Sequence, residues 1–114
     1  MSGRAVRLSR KLVLEAAVRQ GDGAGGFAES WTPLGTLWAD MRPGYGRAHD
    51  GAGARLSLNR WRVICRAAPV GAPSRPVAGQ RFVEGTRIYL IEAVSAWDDA
   101  GIYLQCFCRE EVAT

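Results

Sequence analysis

The sequence lacks the features of membrane and secreted proteins. No apolar run approaches the roughly 18 residues that a membrane-spanning helix needs, and the opening Met-Ser-Gly-Arg does not resemble a signal peptide. The cysteines number three, and an odd count does not suit a disulfide framework. We therefore expect a chain that is made in a reducing cytoplasm and has no membrane contact.

Histidine is nearly absent, and this limits the chemistry that the chain can perform. The single histidine, His49, lies in a glycine-rich stretch where nothing orients it toward a nucleophile. Paired carboxylates occur only as Asp98-Asp99 and Glu110-Glu111, which are sequence neighbours and so point apart on a strand or sit in a turn. Residues 21–26 match the pattern GxGxxG, but no crossover helix follows to meet a dinucleotide. We expect neither enzymatic activity nor a cofactor.

The three cysteines and the histidine could supply four soft metal ligands. Cys106 and Cys108 are only two residues apart, which is shorter than the usual zinc spacing, and His49 belongs to the glycine-rich stretch. We therefore expect Cys65, Cys106 and Cys108 to act as small buried apolar residues and expect no metal.

Sustained helical periodicity is also missing, whereas strand patterns are frequent. Alternating or β-branched runs cover residues 8–18, 34–41, 56–66, 81–83, 87–94 and 102–109. A length of 114 residues suits one domain with a single core. The sequence thus predicts one all-β domain, a small barrel or sandwich of five or six strands. We expect flexible residues 1–6 and a proline-rich connection over residues 67–79.

Lysine is as scarce as histidine, so the basic character of the chain is almost entirely arginine. Residues 42–87 are basic and residues 88–114 are acidic, which suits complementary patches between copies or stacked partners, although an ordinary solvated surface is the plainer interpretation. The third strand should turn Trp61, Val63 and Cys65 inward, and Arg60, Arg62 and Arg66 outward. With Tyr45, this arginine face also suits a free-standing barrel that binds nucleic acid.

The longest irregular stretch, residues 42–55, reads RPGYGRAHDGAGAR between the second and third strands. It contains four glycines and is long for a hairpin connection. Two interpretations remain open, a mobile loop that a partner orders and plain surface disorder.

The order of several weak motifs carries a family resemblance. They are an Asp22-x-x-Gly25-Gly26 turn, Trp31, a Leu37-Trp38-Ala39 strand, the strand from Trp61 to Arg66, Arg81-Phe82, Gly85, Tyr89-Leu90-Ile91 and Leu104-x-Cys106. In this order and spacing the chain resembles the phage head-tail joining family, the head-closure or stopper proteins of long-tailed phages and gene transfer agent particles. The likeness covers roughly residues 7 to 110.

The resemblance implies a small β-barrel in the neck of a virion or phage-like particle. Such a chain is expected to form a ring, a hexamer, between the portal or adaptor on the head side and the tail terminator on the tail side. Double-stranded DNA passes through the ring, and the loop after the second strand gates that channel. Assembly is expected in the bacterial cytoplasm.

Site residues follow from this resemblance. The channel loop would present Arg42, Tyr45, Arg47, His49 and Arg55 to DNA or to a neighbouring loop. Ring contacts would pair Arg60, Arg62 or Arg66 with Glu92, Asp98 or Asp99 of the next copy. Phe27 and Trp31, which lie outside the alternating strands, are expected to dock a partner.

Overall fold

The chain folds into a closed antiparallel barrel. A computed structural model describes residues 5–21, 23–44 and 59–111, without the side chains of residues 27 and 28. Its six strands are β1 (Arg10–Gly21), β2 (Phe27–Pro43), β3 (Arg60–Arg66), β4 (Arg81–Glu84), β5 (Arg87–Ala96) and β6 (Tyr103–Glu111). They pair in the order β1-β2-β3-β6-β5-β4, and pairing of β4 with β1 closes the sheet. The predicted all-β class is confirmed, and the strands number six.

The interior of the barrel is filled by alternate residues of the strands. Phe82 and Tyr89 are the largest of the fully buried side chains. The core consists of Leu12, Leu14, Ala39, Met41, Val63, Cys65, Phe82, Tyr89, Ile91, Leu104, Cys106 and Cys108. The alternation predicted for the first and third strands is confirmed. In β1, Leu12 and Leu14 point inward, whereas Lys11, which precedes Leu12, is exposed.

The two ends of the barrel carry different elements, and we call them the upper end and the lower end. The upper end holds the end of β2, the start of β3 and the β4–β5 turn. The lower end holds the end of β3, the β5–β6 turn and the connection over residues 67–79. That connection contains no strand, as predicted, and its Pro76 is fully buried. Its last residues are held by β5, because Gly79 N donates to Ile91 O at 2.9 Å.

The β1–β2 hairpin is longer than the sequence patterns predict. The second strand was expected over residues 34–41, whereas β2 begins at Phe27 and pairs with β1 as far as Gly21. Pro33 falls inside this strand, which is tolerated because β2 pairs with β3 only from Ala39 onward. A register shift between Leu14 and Glu15 accommodates the irregularity. Residues 27–32 therefore belong to a strand rather than to a turn.

No helix in the described ranges is long and apolar enough to cross a membrane.

Candidate interaction surfaces

The upper end of the barrel fixes both ends of the glycine-rich segment. Gly44 N donates to Arg60 O at 2.9 Å, so the chain leaves the barrel and returns to it at one place. A Cβ on Gly44 would lie 3.2 Å from the backbone carbon of Trp61, so the close approach of the two backbones favours glycine. Four of the predicted channel residues, Tyr45, Arg47, His49 and Arg55, lie outside the described residues.

Arg42, the fifth predicted channel residue, belongs to β2 and not to the loop. Its side chain is only 9% exposed, and its Nη2 lies 3.0 Å from Oδ2 of Asp40. Its guanidinium also lies 4.9 Å from the centre of the Trp97 ring. The prediction that the loop begins at residue 42 is corrected, because β2 stays paired with β3 as far as Pro43, opposite Trp61.

The N-terminal segment covers the outer wall of the barrel next to this ion pair. Arg7 N donates to Oδ2 of Asp40 at 3.0 Å, and Arg42 Nη2 donates to the carbonyl of Ala5 at 3.3 Å. Ile64 lies between two core residues of β3, so it points out of the barrel, and yet it is fully buried. The sequence predicts flexibility for residues 1–6, but within this range the carbonyl of Ala5 is held by Arg42 of β2.

The outer wall of β3, β5 and β6 carries a row of charges. Arg60 and Arg109 both contact Glu92, Arg109 through Nε at 3.2 Å. Arg60 and Glu92 were expected to meet between copies, and the structure pairs them within one chain. Arg62 donates only a long hydrogen bond, 3.5 Å, to Gln105. A groove of about 370 Å³ on this wall is lined by Gly44, Arg60, Trp61, Arg62, Glu92, Gln105, Phe107 and Cys108.

Two further ion pairs stabilise the upper end. Arg87 Nε donates to Glu110 at 2.8 Å, and Trp61 Nε1 donates to the same carboxylate at 3.0 Å. The hydrogen bond from Arg87 holds the pKa of Glu110 below its usual value. In the same way, the hydrogen bond from Arg10 lowers the pKa of Glu84. Burial raises the pKa of Tyr89, whose ring lies beneath these pairs, to about 12.

The lower end combines apolar and charged side chains. Arg66 is exposed and lies 5.9 Å from the centre of the Tyr103 ring. Asp98 accepts hydrogen bonds from the amides of Ile102 and Tyr103, at 3.0 and 3.2 Å, and so holds the β5–β6 turn. Asp99 is exposed in that turn. Three of the predicted ring residues, Arg66, Asp98 and Asp99, therefore lie together at the lower end of the barrel and not on opposite sides of it.

Most of the large exposed apolar side chains also lie at the lower end. Trp38, which is 53% exposed, is in register just below the pair of Ala39 with Cys65. Ile102 precedes β6, and its carbonyl accepts from Ala67 N at 2.9 Å. Exposed Val70 and Val77 belong to the connection. A groove of about 420 Å³ beside Trp38 is lined by Leu8, Leu37, Trp38, Arg66, Ala67, Ala68 and Ser74. We call Trp38, Val70, Val77 and Ile102 the lower apolar surface.

The two predicted docking residues are placed differently. Trp31 is half-buried on β2, and the guanidinium of Arg81 lies 4.1 Å from its ring centre. Phe27 is the first residue of β2, and its side chain lies outside the description. Sequence reasoning missed Trp38 as a surface residue. A signal was present, since adjacent residues of a strand cannot both face the core, and Trp38 follows the apolar Leu37.

The three cysteines are buried in the core, as predicted. The hydrogen bond with the Cys65 thiol, together with burial, raises the pKa of Cys106. Burial likewise raises the pKa of Cys108. In the described residues, no three His, Cys, Asp or Glu side chains are grouped as a metal site would need. The described surface carries arginine ion pairs and exposed apolar side chains.

Comparison with known proteins gives two kinds of match. A family model described as "Phage head completion protein" matches residues 3–111. A chain from the virion of a native gene transfer agent particle is 45% identical, with a TM-score of 0.75 over 95% of this chain and 98% of that chain. A protein of Shigella flexneri 2a, solved in solution, is 23% identical with a TM-score of 0.67 over 95% and 96% of the two chains, which shows the fold alone. No curated protein matches the sequence.

Proposed function

This chain belongs to the phage head completion protein family, and we propose that it closes the filled head of a tailed-phage-like or gene transfer agent particle as a ring of copies in the neck. The near full-length similarity to a chain of a gene transfer agent virion carries this proposal. In the proposed neck, the ring is a hexamer that joins the portal or adaptor to the tail terminator. It is added to the head in the bacterial cytoplasm, and double-stranded DNA passes through it.

The different ends of the barrel suit a connector. A connector must offer separate surfaces to a neighbour and to the channel. The lower apolar surface has the composition of a docking site, because an exposed tryptophan lies beside an arginine and further apolar side chains. We propose that Trp38 anchors a neighbouring neck protein. Phe27 and Trp31 remain proposed docking contacts, and Arg81 already lies over the ring of Trp31.

The channel gate is proposed to be residues 45–55, the part of the predicted loop over residues 42–55 that follows β2 and Gly44. Gly44 and Arg60 hold the two ends of this segment together at the upper end, so it leaves the barrel at the end opposite the lower apolar surface. The resemblance to head-closure proteins implies a loop that enters the channel, and we propose that role for this segment. Arg47, Arg55 and His49 would then contact phosphate, or the acidic groups of a neighbouring copy.

The charged ring contacts remain a proposal with fewer available residues. In the described part of the chain, Arg62, Arg66 and Asp99 have no oppositely charged partner among the ion pairs, whereas Arg60 and Glu92 are paired within the chain. Each exposed pair would contribute only about 0–1 kcal/mol, so these contacts orient copies more than they hold them together.

Particles made with and without the chain test the proposal. We expect deletion to give filled heads that lose DNA and lack tails, and electron cryomicroscopy of intact necks to reveal a ring of this chain with residues 45–55 at the axis. Heads that retain DNA and join tails without the chain would show the connector proposal to be wrong. Salt-dependent DNA affinity of the purified chain would then support the nucleic-acid-binding alternative.

A substitution pair tests the docking surface separately. Trp38→Ala removes the exposed ring, and we expect tail joining to fall strongly while the chain stays folded. The matched control is Lys11→Ala, because Lys11 is the exposed cross-strand neighbour of Trp38 and is of similar length. Equal tail joining by the two variants would remove Trp38 from the proposed interface.

A further inference from the structure

In the described residues, the outer part of the β1–β2 hairpin has no third strand on either side. β1 pairs with β4 only from Val13 to Glu15, and β2 pairs with β3 only from Ala39 to Pro43. The β1–β2 ladder continues beyond both, as far as Gly21 opposite Phe27. Residues 16–21 and 27–32 therefore form a two-stranded ribbon, flanked by no third strand. We call this ribbon the arm.

The arm is held to the barrel at its base, through β4. Arg81 reaches from β4 to Glu15, at 2.7 Å, and covers the ring of Trp31. Beyond this point Ala17, Arg19, Gln20, Gly21, Glu29, Ser30 and Thr32 are exposed. An isolated two-stranded ribbon is at best marginally stable in water, so it gains from a third strand.

The devices that protect sheet edges lie at the base of the arm and not along it. Pro33, which lacks an amide hydrogen, and the register shift at Leu14/Glu15 both adjoin the barrel. The six residue pairs beyond them contain no proline and no shift, and they extend for about 20 Å at the usual rise per residue. This length of ladder can accept another strand.

The charges of the arm favour one pairing partner, a second copy of the same arm. Arg19 lies directly opposite Glu29 within the arm. If the β2 edge of one copy meets the β1 edge of the next in the same register, each Glu29 lies between two arginines. A two-fold pairing of like edges would instead set Arg19 against Arg19, or Glu29 against Glu29, which is unfavourable.

We propose that the arms of neighbouring copies join edge to edge, β2 of one copy on β1 of the next. Within one copy β1 and β2 are antiparallel, and rotation about a ring axis keeps these two directions alternating from copy to copy. β2 of one copy is therefore antiparallel to β1 of the next. This contact uses two different edges of each copy, so it is head-to-tail and can close into a ring. The inference rests on the ring of the proposed function and names the surface that would form it.

Charge reversal with mixing tests this contact. Arg19→Glu alone sets Glu against Glu, and Glu29→Arg alone sets Arg against Arg, both within the arm and between copies. Mixing the two variants restores opposite charges only between copies, so a role confined to the hairpin would not be rescued. Lys11→Glu, on β1 but outside the arm, is the matched control.

The full-length variants are added to heads that lack the chain, and both the copies bound per head and the DNA retained are measured. We expect each single variant to lower ring occupancy at least about tenfold, and the equimolar mixture and Lys11→Glu to bind like the wild type. A wild-type ring with fully active single variants, or a mixture as impaired as they are, would overturn the arm contact alone. A wild-type chain that does not bind heads as several copies would overturn the ring, and the arm contact with it.

Discussion

The buried pair of Asp40 and Arg42 gives the sharpest prediction about stability. Asp40→Asn keeps the shape of the side chain but removes the carboxylate charge next to the buried guanidinium of Arg42. The two side chains are 4% and 9% exposed, so water cannot replace the lost carboxylate. Removal of one partner of such a pair costs about 3–5 kcal/mol.

This loss converts into a temperature shift that is easy to measure. An unfolding entropy of about 2.1 cal/mol/K per residue gives about 0.24 kcal/mol/K for a chain of this length. We therefore expect Asp40→Asn to lower Tm by about 12–20 °C. Urea unfolding should give the same free-energy change. Tryptophan fluorescence can follow this unfolding, because Trp97 lies against Arg42.

Two further variants separate charge from packing. Asp99→Asn removes an exposed carboxylate and should change the free energy of unfolding by no more than about 0.5 kcal/mol. The double variant Asp40→Leu with Arg42→Met removes both charges, and it should be more stable than Asp40→Asn. A loss below about 1 kcal/mol for Asp40→Asn, or a double variant less stable than it, would refute the reasoning.

Three further predictions follow from other parts of the barrel. Arg87 lowers the pKa of Glu110. The contribution of Glu110 to stability is therefore present above about pH 4.5 and is lost as the pH falls through the folded-state pKa. Glu110→Gln should flatten that part of the curve of unfolding free energy against pH. Gly85→Ala should cost about 1 kcal/mol in urea unfolding, because Gly85 has φ of +63° in a two-residue turn, whereas Gly21→Ala, which is equally uncrowded and has no positive φ, should cost clearly less. The three buried thiols should react with a thiol reagent only as fast as the chain unfolds, and rapid reaction of the native protein would contradict their burial.

Most of the barrel could be predicted because its strands carry their pattern locally. Leu12 and Leu14 alternate with polar residues, and Val63 and Cys65 alternate with arginines, so one face of each strand is visibly apolar. The first part of β2 could not be predicted, because Pro33 interrupts it and the arm has no buried face to impose alternation. Its strand character comes from the ladder with β1, which depends on residues distant in sequence.

The charged contacts show a second limit of sequence reasoning. Arg60 and Glu92 are 32 residues apart and lie in blocks of opposite charge, so the sequence alone does not distinguish a pair between copies from a pair within one chain. Strand order decides the matter, since β6 lies between β3 and β5 and brings both side chains onto one wall. Net charge per segment therefore predicts that pairs exist and not where they lie.

Ile64 and Arg42 together explain why the outer wall is not simply polar. Both side chains point away from the barrel core, yet both are buried. Asp40 is the cross-strand neighbour of Ile64, and the Asp40–Arg42 pair binds the backbone of the segment around Ala5 and Arg7. In the sequence, Ile64 is an apolar residue among the outward-facing arginines of the third strand, and this position is the visible sign of a second layer. A docked N-terminal segment uses hydrogen bonds to two charged side chains, so its position depends on the same pair that supports β2. Loss of Asp40 is therefore expected to expose Ile64 as well as to destabilise the barrel, which joins the stability of the fold to the shape of the surface that the neck would present.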